Sequence, residues 1–198
     1  MSALRRIGIL GGSFDPPHAG HLAAADTAVT QLSLGRVKVV PAAQAPLREA
    51  GPRAPAADRL ALLRLAFEGR PWAEVDDREM RRGGVSYSVD TARELAAEHP
   101  GAELYWILGA DQLSRLHLWR EAAELCRLVR FAVLARDGQP GRVDPSLGDL
   151  ARVERLRAPE VRVSSTEIRR ALASGREVGK ALLPAVAAAI QARSLYRD

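Results

Sequence analysis

Three observations predict an α/β fold built on a doubly wound, mostly parallel sheet. Short β-rich runs alternate with helical patterns along the chain, several of those runs stop at glycine or proline, and their spacing suits βαβ crossovers. The chain has 198 residues, 47% of them apolar, which is enough for one compact domain over residues 1–198. Residues 160–198 are expected to form a small C-terminal helical subdomain packed on it.

Arg6 to Leu10 reads as a buried strand stopped by Gly11-Gly12, and Ala19 to Leu32 follows as a helix. Arg36 to Val40 is a second strand ending at Pro41. Residues 41–57 carry Pro41, Pro46, Pro52 and Pro55 with little periodicity, and so long a loop within a compact domain is usually functional or mobile. Asp58 is expected to cap a helix with Leu60, Leu63 and Phe67 on its apolar face and Gly69 at its close. Trp72 to Met80 reads as a third strand, weakened by its acids.

Ser86 or Ser88 is placed to cap the next helix, with Val89, Ala92, Leu95 and Ala96 inward and Asp90 close to its positive end. Leu104 to Leu108 is a strand that also ends in glycine, at Gly109. Glu121 to Leu128 reads as a helix and Arg130 to Ala135 as a strand. Residues 137–149, with three glycines and two prolines, read as an exposed excursion. Val153 to Val163 supplies one or two short strands around Pro159, before helices over Ser165 to Ala173 and Leu183 to Ala192. Ligands of such sheets bind at the carboxyl ends of the strands near the topological switch point, which makes Gly11 and Gly109 candidate floor positions.

Composition narrows the partners. The apolar run from Leu182 to Ile190 is interrupted by Pro184 and falls short of the ~18 residues of a membrane span. A single cysteine, Cys126, excludes a disulfide framework and a Cys-rich zinc site and suits the cytoplasm. The N-terminal apolar residues run into Gly11-Gly12-Ser13 without room for a signal-peptide core. The net charge of +5 comes from 27 arginines and two lysines against 24 acids. The arginines spread from Arg5 to Arg197 with acids interleaved, so neither a nucleic-acid partner nor a membrane surface is expected. A homo-oligomer is compatible with the sequence, which does not specify one.

The chemistry concentrates between the first strand and the first helix, from Gly11 to Leu22. Glycines there admit a ligand close to the backbone, and the helix start presents N–H groups to an anion. The run is neither a P-loop nor a dinucleotide fingerprint, because the Gly-Lys-Ser/Thr ending and the glycine spacing are both absent. His18 and His21 lie three apart on one helical face, where two imidazoles can hydrogen-bond phosphate oxygens. A metal site is disfavoured because no third His or Cys lies nearby. Far along the chain, Ser164, Ser165 and Thr166 place hydroxyls at another helix start, with Arg169 one turn on.

Gly12-Ser13-Phe14-Asp15-Pro16 with His18-Ala19-Gly20-His21 resembles the (H/T)xGH signature of the nucleotidyltransferase superfamily, and Val163 to Arg169 resembles its SSTxIR motif. Gly83 to Thr91 resembles the G-x-S-Y-T-x-x-T signature of the nicotinate-nucleotide adenylyltransferase family. Leu108-Gly109-Ala110-Asp111, Trp119 and the ending Leu182 to Tyr196 are similar to that family as well.

The resemblance covers essentially the whole chain and implies a Rossmann-like fold. It also implies adenylyl transfer from ATP to nicotinate mononucleotide, giving deamido-NAD and pyrophosphate by direct in-line attack. It assigns His18, His21 and Arg169 to catalysis. The ATP site would add Gly11, Gly12, Ser13 and Phe14 from the first motif, Gly109 and Asp111 from the fourth strand, and Ser164, Ser165 and Thr166 from the second motif. Ser13, Arg48, Ser86, Tyr87, Ser88 and Trp119 would bind the mononucleotide, with Trp119 as a stacking face. Mg2+ would arrive with ATP rather than in a protein cage.

Two positions depart from the family pattern. Pro46-Leu47-Arg48 stands where a histidine often precedes the cation, and Ser88 replaces the usual threonine. The phosphopantetheine-using branch fits less well because of Ser86-Tyr87-Ser88 and Trp119. Nicotinate and nicotinamide forms of the acceptor differ by one group, and the sequence leaves their ranking open.

Overall fold

The computed structural model describes residues 5–47, 51–135, 141–157, 161 and 163–197. Among the described residues six strands form one sheet: β1 (Arg6–Gly12), β2 (Arg36–Pro41), β3 (Ala73–Val75), β4 (Glu103–Gly109), β5 (Arg130–Leu134) and β6 (Val153–Leu156). Their spatial order is β3-β2-β1-β4-β5-β6 and every pairing is parallel. The order reverses between β1 and β4. Their ladder stops at Ile9 opposite Trp106, although β1 runs on to Gly12 and β4 to Gly109. That is the position at which open α/β sheets receive ligands.

Strands buried on both faces need apolar side chains on both, and in β2 Val37 and Val39 join one core while Val40 joins the other. On one face α1 (Ala19–Leu32) and α2 (Ala56–Phe67) share a core with the C-terminal helices α7 (Ser165–Ala173) and α8 (Pro184–Ala192), through Ile168, Val186 and Ile190. On the other, α4 (Ser88–Glu98) and α6 (Ala122–Leu128) enclose Val89, Leu95, Leu125 and Phe131. The short helices α3 (Arg78–Arg82) and α5 (Ala110–Leu113) follow β3 and β4. Among the described residues no helix is long and apolar enough to cross a membrane.

Helices α1 and α7 fall where the sequence places them, whereas several other expectations need correction. Helix α2 begins at Ala56 behind Pro55, so Asp58 lies inside the first turn and bonds Arg193 Nη1 (2.6 Å). Its buried face is Arg59, Leu62, Leu63, Ala66 and Phe67, and Leu60 is only half-buried. The Trp72 to Met80 stretch holds a three-residue strand and then α3. Asp76 Oδ1 accepts the Arg78 N–H (3.1 Å), a local bond that turns the chain away from the sheet.

Neither serine caps α4: Tyr87 holds the cap position and Ser88 is the first helical residue. The 137–149 excursion is not uniformly exposed, since Leu147 is buried in the core. The strand expected around Pro159 lies partly outside the described residues, with β6 ending at Leu156.

Candidate active site

The Gly11 to His21 run is a strand-to-helix turn at the carboxyl edge of the sheet. Strand β1 ends at Gly12, Phe14 turns through a left-handed φ of 46°, Asp15-Pro16 is cis, and His18 is the N-cap of α1. A side chain at Gly11 would press on the Trp106 ring, 3.2 Å from Cζ2. Ser13, Phe14, Asp15 and His18 are buried.

The two histidines meet: their rings stack with centroids 3.7 Å apart, and Phe14 lies against His21 at 4.8 Å. His21 Nδ1 accepts the His18 backbone N–H (3.1 Å), so a neutral His21 carries its proton on Nε2. Gly20 makes the arrangement sterically possible. A Cβ there would stand 3.1 Å from both Cε1 and Nδ1 of His18 and 3.3 Å from Val163.

The distant Ser-Ser-Thr segment docks on this turn, as its spacing from the first motif could not by itself reveal. Ser165 Oγ donates to the Pro16 carbonyl (3.0 Å) and Arg169 Nη1 to the Asp15 carbonyl (2.7 Å). Arg169 Nη2 also donates to Thr166 Oγ1 (3.3 Å). These contacts use two of the five donors of the guanidinium. Ser164 instead closes the helix cap: its Oγ accepts from Glu167 N (3.2 Å) and donates to Glu167 Oε2 (2.8 Å). Asp111 is exposed in α5, two residues past the end of β4, bonded to Gln112 Nε2 (3.0 Å), and a Cβ on Gly109 would lie 2.6 Å from its Oδ1.

Toward the other side of the crevice, Trp119 sets its edge against Trp106 with centroids 6.2 Å apart and planes at 78°. Arg120 sits over the Tyr87 ring, 4.5 Å from the centroid. Arg93 ties α4 to α6 by pairing with Asp90 (3.0 Å) and with Glu121 and Glu124, which fixes the start of α4 against the Trp119-Arg120 segment. Ser86 is buried: its hydroxyl accepts the Ala43 N–H (2.9 Å) and bonds Glu79, so it braces the 83–87 loop against the 42–44 loop. Glu79 is itself buried, bonded by Thr91 Oγ1 (2.6 Å), and burial pushes its carboxyl above the usual range. Arg48 lies outside the described residues.

Three further residues, to which the motifs assign no role, shape the site, although two of them stand inside the motif segments. Arg59, the largest fully buried side chain among the described residues, donates from Nη1 to the carbonyls of Ser13 (2.7 Å) and Ala42 (2.8 Å). Burial lowers its pKa, opposed by the charge of Asp15. A signal was present, because an arginine three and four residues before Leu62 and Leu63 sits on the buried stripe of a helix. Asp15 and Tyr196 are the others. Tyr196 OH donates to Asp15 Oδ1 (2.9 Å), and burial followed by the Asp15 charge drives the phenol pKa upward. Among the described residues no group of three or more His, Cys, Asp or Glu side chains could hold a metal ion.

The cytidylyltransferase-like family pattern matches residues 9–171, which span both histidines and Arg169. A protein of Opitutus terrae named "Probable nicotinate-nucleotide adenylyltransferase" is 50% identical over 167 residues, covering 83% of this chain and 84% of that protein. A protein of the same name from Rhodopirellula baltica is 38% identical over 199 residues, covering 96% and 93%. Among solved structures, Plasmodium falciparum nicotinic acid mononucleotide adenylyltransferase complexed with NaAD shares the fold, with a TM-score of 0.80 over 97% of each chain at 20% identity. With paired histidines at the β1–α1 turn and Ser165 and Arg169 docked on it, the chain belongs to the nicotinate-nucleotide adenylyltransferases of the cytidylyltransferase-like family.

Proposed function

We propose that this enzyme transfers the adenylyl group of ATP to nicotinate mononucleotide, forming deamido-NAD and releasing pyrophosphate, in the cytoplasm. The observation that carries the reading is the convergence of the stacked His18–His21 pair with Arg169 at one strand-to-helix turn. Residues 1–198 act as one nucleotidyltransferase domain, with 160–198 as its C-terminal helical part.

A phosphate oxygen of the mononucleotide attacks the α-phosphorus of ATP in line. A new O–P bond forms as the bond from the α-phosphorus to the bridging oxygen breaks, and the electron pair leaves with pyrophosphate. The attacking phosphate is already ionised, so no general base is needed, and catalysis reduces to positioning and charge stabilisation. His18 and His21 contact the α- and β-phosphates, His21 through the Nε2 proton that its Nδ1 contact dictates. Each such donor contributes about 10²–10³ in kcat.

Ser165, Thr166 and the remaining donors of Arg169 hold the leaving end. Gly11, Gly12 and Phe14 shape the turn beneath the phosphates, and Gly109 and Asp111 serve the ribose side. Ser164 contributes through the helix cap. Ser13 and Arg48 orient the incoming phosphate. Tyr87, Ser88 and Trp119 frame the pyridine ring, with Ser86 bracing their loop. A divalent cation, Mg2+, enters as part of the ATP substrate.

Pyrophosphate release should be measured with magnesium and ATP, offering nicotinate mononucleotide, nicotinamide mononucleotide and phosphopantetheine in turn. Turnover should be fastest with the first. Turnover on either of the other two with none on the first would overturn the assignment.

A further inference from the structure

Asp15 is 3% exposed and ties together three separate parts of the chain: residues 53–54, Arg169 and Tyr196. Oδ1 accepts the Ala54 N–H (3.1 Å) and the Tyr196 O–H (2.9 Å), while Oδ2 accepts the Arg53 N–H (2.8 Å). Arg169 Nη1 donates to the Asp15 carbonyl yet stays 3.6 Å from Oδ2, an ion-pair distance beyond hydrogen-bond range. A carboxylate this close to Arg169 competes with phosphate for the same guanidinium. It is restrained by the three donors that hold its two oxygens.

Two of those donors are backbone amides, and the third comes from a segment that has to be folded back to deliver it. After α8 the chain passes through left-handed backbone at Ser194 (φ 51°) and Tyr196 (φ 62°), a region that residues other than glycine rarely adopt. Arg193 Nη1 bonds Asp58 (2.6 Å) and Leu195 N bonds the Ile190 carbonyl (3.0 Å), which pins the segment on both sides of the first of these turns. Strain held in place by surrounding bonds is characteristic of positions that orient a functional group.

We propose that Tyr196 is a positioning residue for ATP binding: its hydroxyl holds the Asp15 carboxylate back, so that Arg169 keeps donors for the leaving phosphates. Without the hydroxyl, Oδ1 is held only by the Ala54 N–H, and a turn about the soft carboxylate torsion brings Oδ2 from the Arg53 N–H onto Arg169, which it neutralises. The inference rests on the assignment of Arg169 to the ATP phosphates.

The test is a double-mutant cycle with Tyr196→Phe, Arg169→Ala and the pair, reading the Kd of magnesium–ATP by calorimetry and then pyrophosphate release. Tyr196→Phe should weaken ATP binding about tenfold, the scale of one hydrogen bond to a charged group. KM for nicotinate mononucleotide should move less than twofold. In the Arg169→Ala background the same change should have no further effect on ATP. Unchanged ATP affinity in Tyr196→Phe, or additive losses in the pair, would overturn the proposal. So would a fall in Tm that unfolds Tyr196→Phe at the assay temperature, because the hydroxyl would then be purely structural. If the wild-type enzyme binds ATP but does not turn over nicotinate mononucleotide, the acceptor assignment fails while the ATP cycle still decides the role of Tyr196.

Discussion

Replacing Gly20 with alanine places a methyl group 3.1 Å from His18 Cε1 and Nδ1 and 3.3 Å from Val163 Cγ1. Ordinary carbon contacts begin near 3.5 Å, so about half an ångström has to be found. His18 is the neighbour that gives, but its ring is backed by His21 at 3.7 Å and cannot retreat without disturbing that stack. A misplacement of ~1 Å costs about 100-fold in rate, so roughly half that displacement should lower kcat about tenfold. His18→Ala, which deletes the imidazole, sets the larger loss, about 10²-fold or more.

Stability should respond differently. Gly20 is the second residue of α1, where alanine gains up to about 1 kcal/mol of helix propensity against an overpacking cost of ~1–3 kcal/mol. At about 2–4 °C per kcal/mol for a chain of this size, Tm should fall by no more than ~12 °C. The assay is steady-state pyrophosphate release at saturating substrates beside a calorimetric melt. A Gly20→Ala enzyme with kcat within twofold of wild type would refute the steric argument. So would a loss of rate fully explained by unfolded protein.

Trp119→Ala should raise KM for nicotinate mononucleotide about tenfold while leaving ATP affinity unchanged, and it should cost a few degrees of Tm because the ring packs on Trp106. An unaltered KM would make Trp119 a packing residue only. Arg59→Leu leaves the Ser13 and Ala42 carbonyls without their buried donor and removes one of the two cations near Asp15, a loss of about 3–5 kcal/mol. Calorimetry should show Tm lower by roughly 6–20 °C; a fall under about 3 °C would contradict this account.

Burial raises the Asp76 carboxyl, but the hydrogen bonds and charge of Arg78 outweigh it and the net shift is downward. A depressed folded-state pKa gives stability that is present above the unfolded value, about 3.9, and is lost as pH falls through the folded value. The Tm gap between wild type and Asp76→Asn should therefore be widest above about pH 5 and close progressively below pH 4. A gap independent of pH would show that the Asp76–Arg78 pair is not ionised as drawn.

The order of elements was legible because periodicity and turn residues act within a few positions. The same holds for His18 and His21, whose separation of three at a helix start puts them on one face whatever the rest of the chain does. Local signals failed where side chains bond their own backbone or where proline resets a helix, as at Asp76 and Pro55. They also failed at Ser86, which has the composition of a cap but turns its hydroxyl to a loop 43 residues earlier.

Both motifs, the alternation of strands and helices, and thereby the family and the phosphate chemistry are determined by sequence alone, since each depends on residues close together in the chain. Tertiary structure decided how the motifs are held together. Arg169 meets Asp15 across 154 residues, Tyr196 meets it across 181, and Arg59 reaches the Ser13 carbonyl across 46. Hydrogen bonds between such distant groups leave no periodic trace in a sequence. They form only once the parallel sheet has brought its carboxyl edge, the loop after β2 and the C-terminal helices to one place.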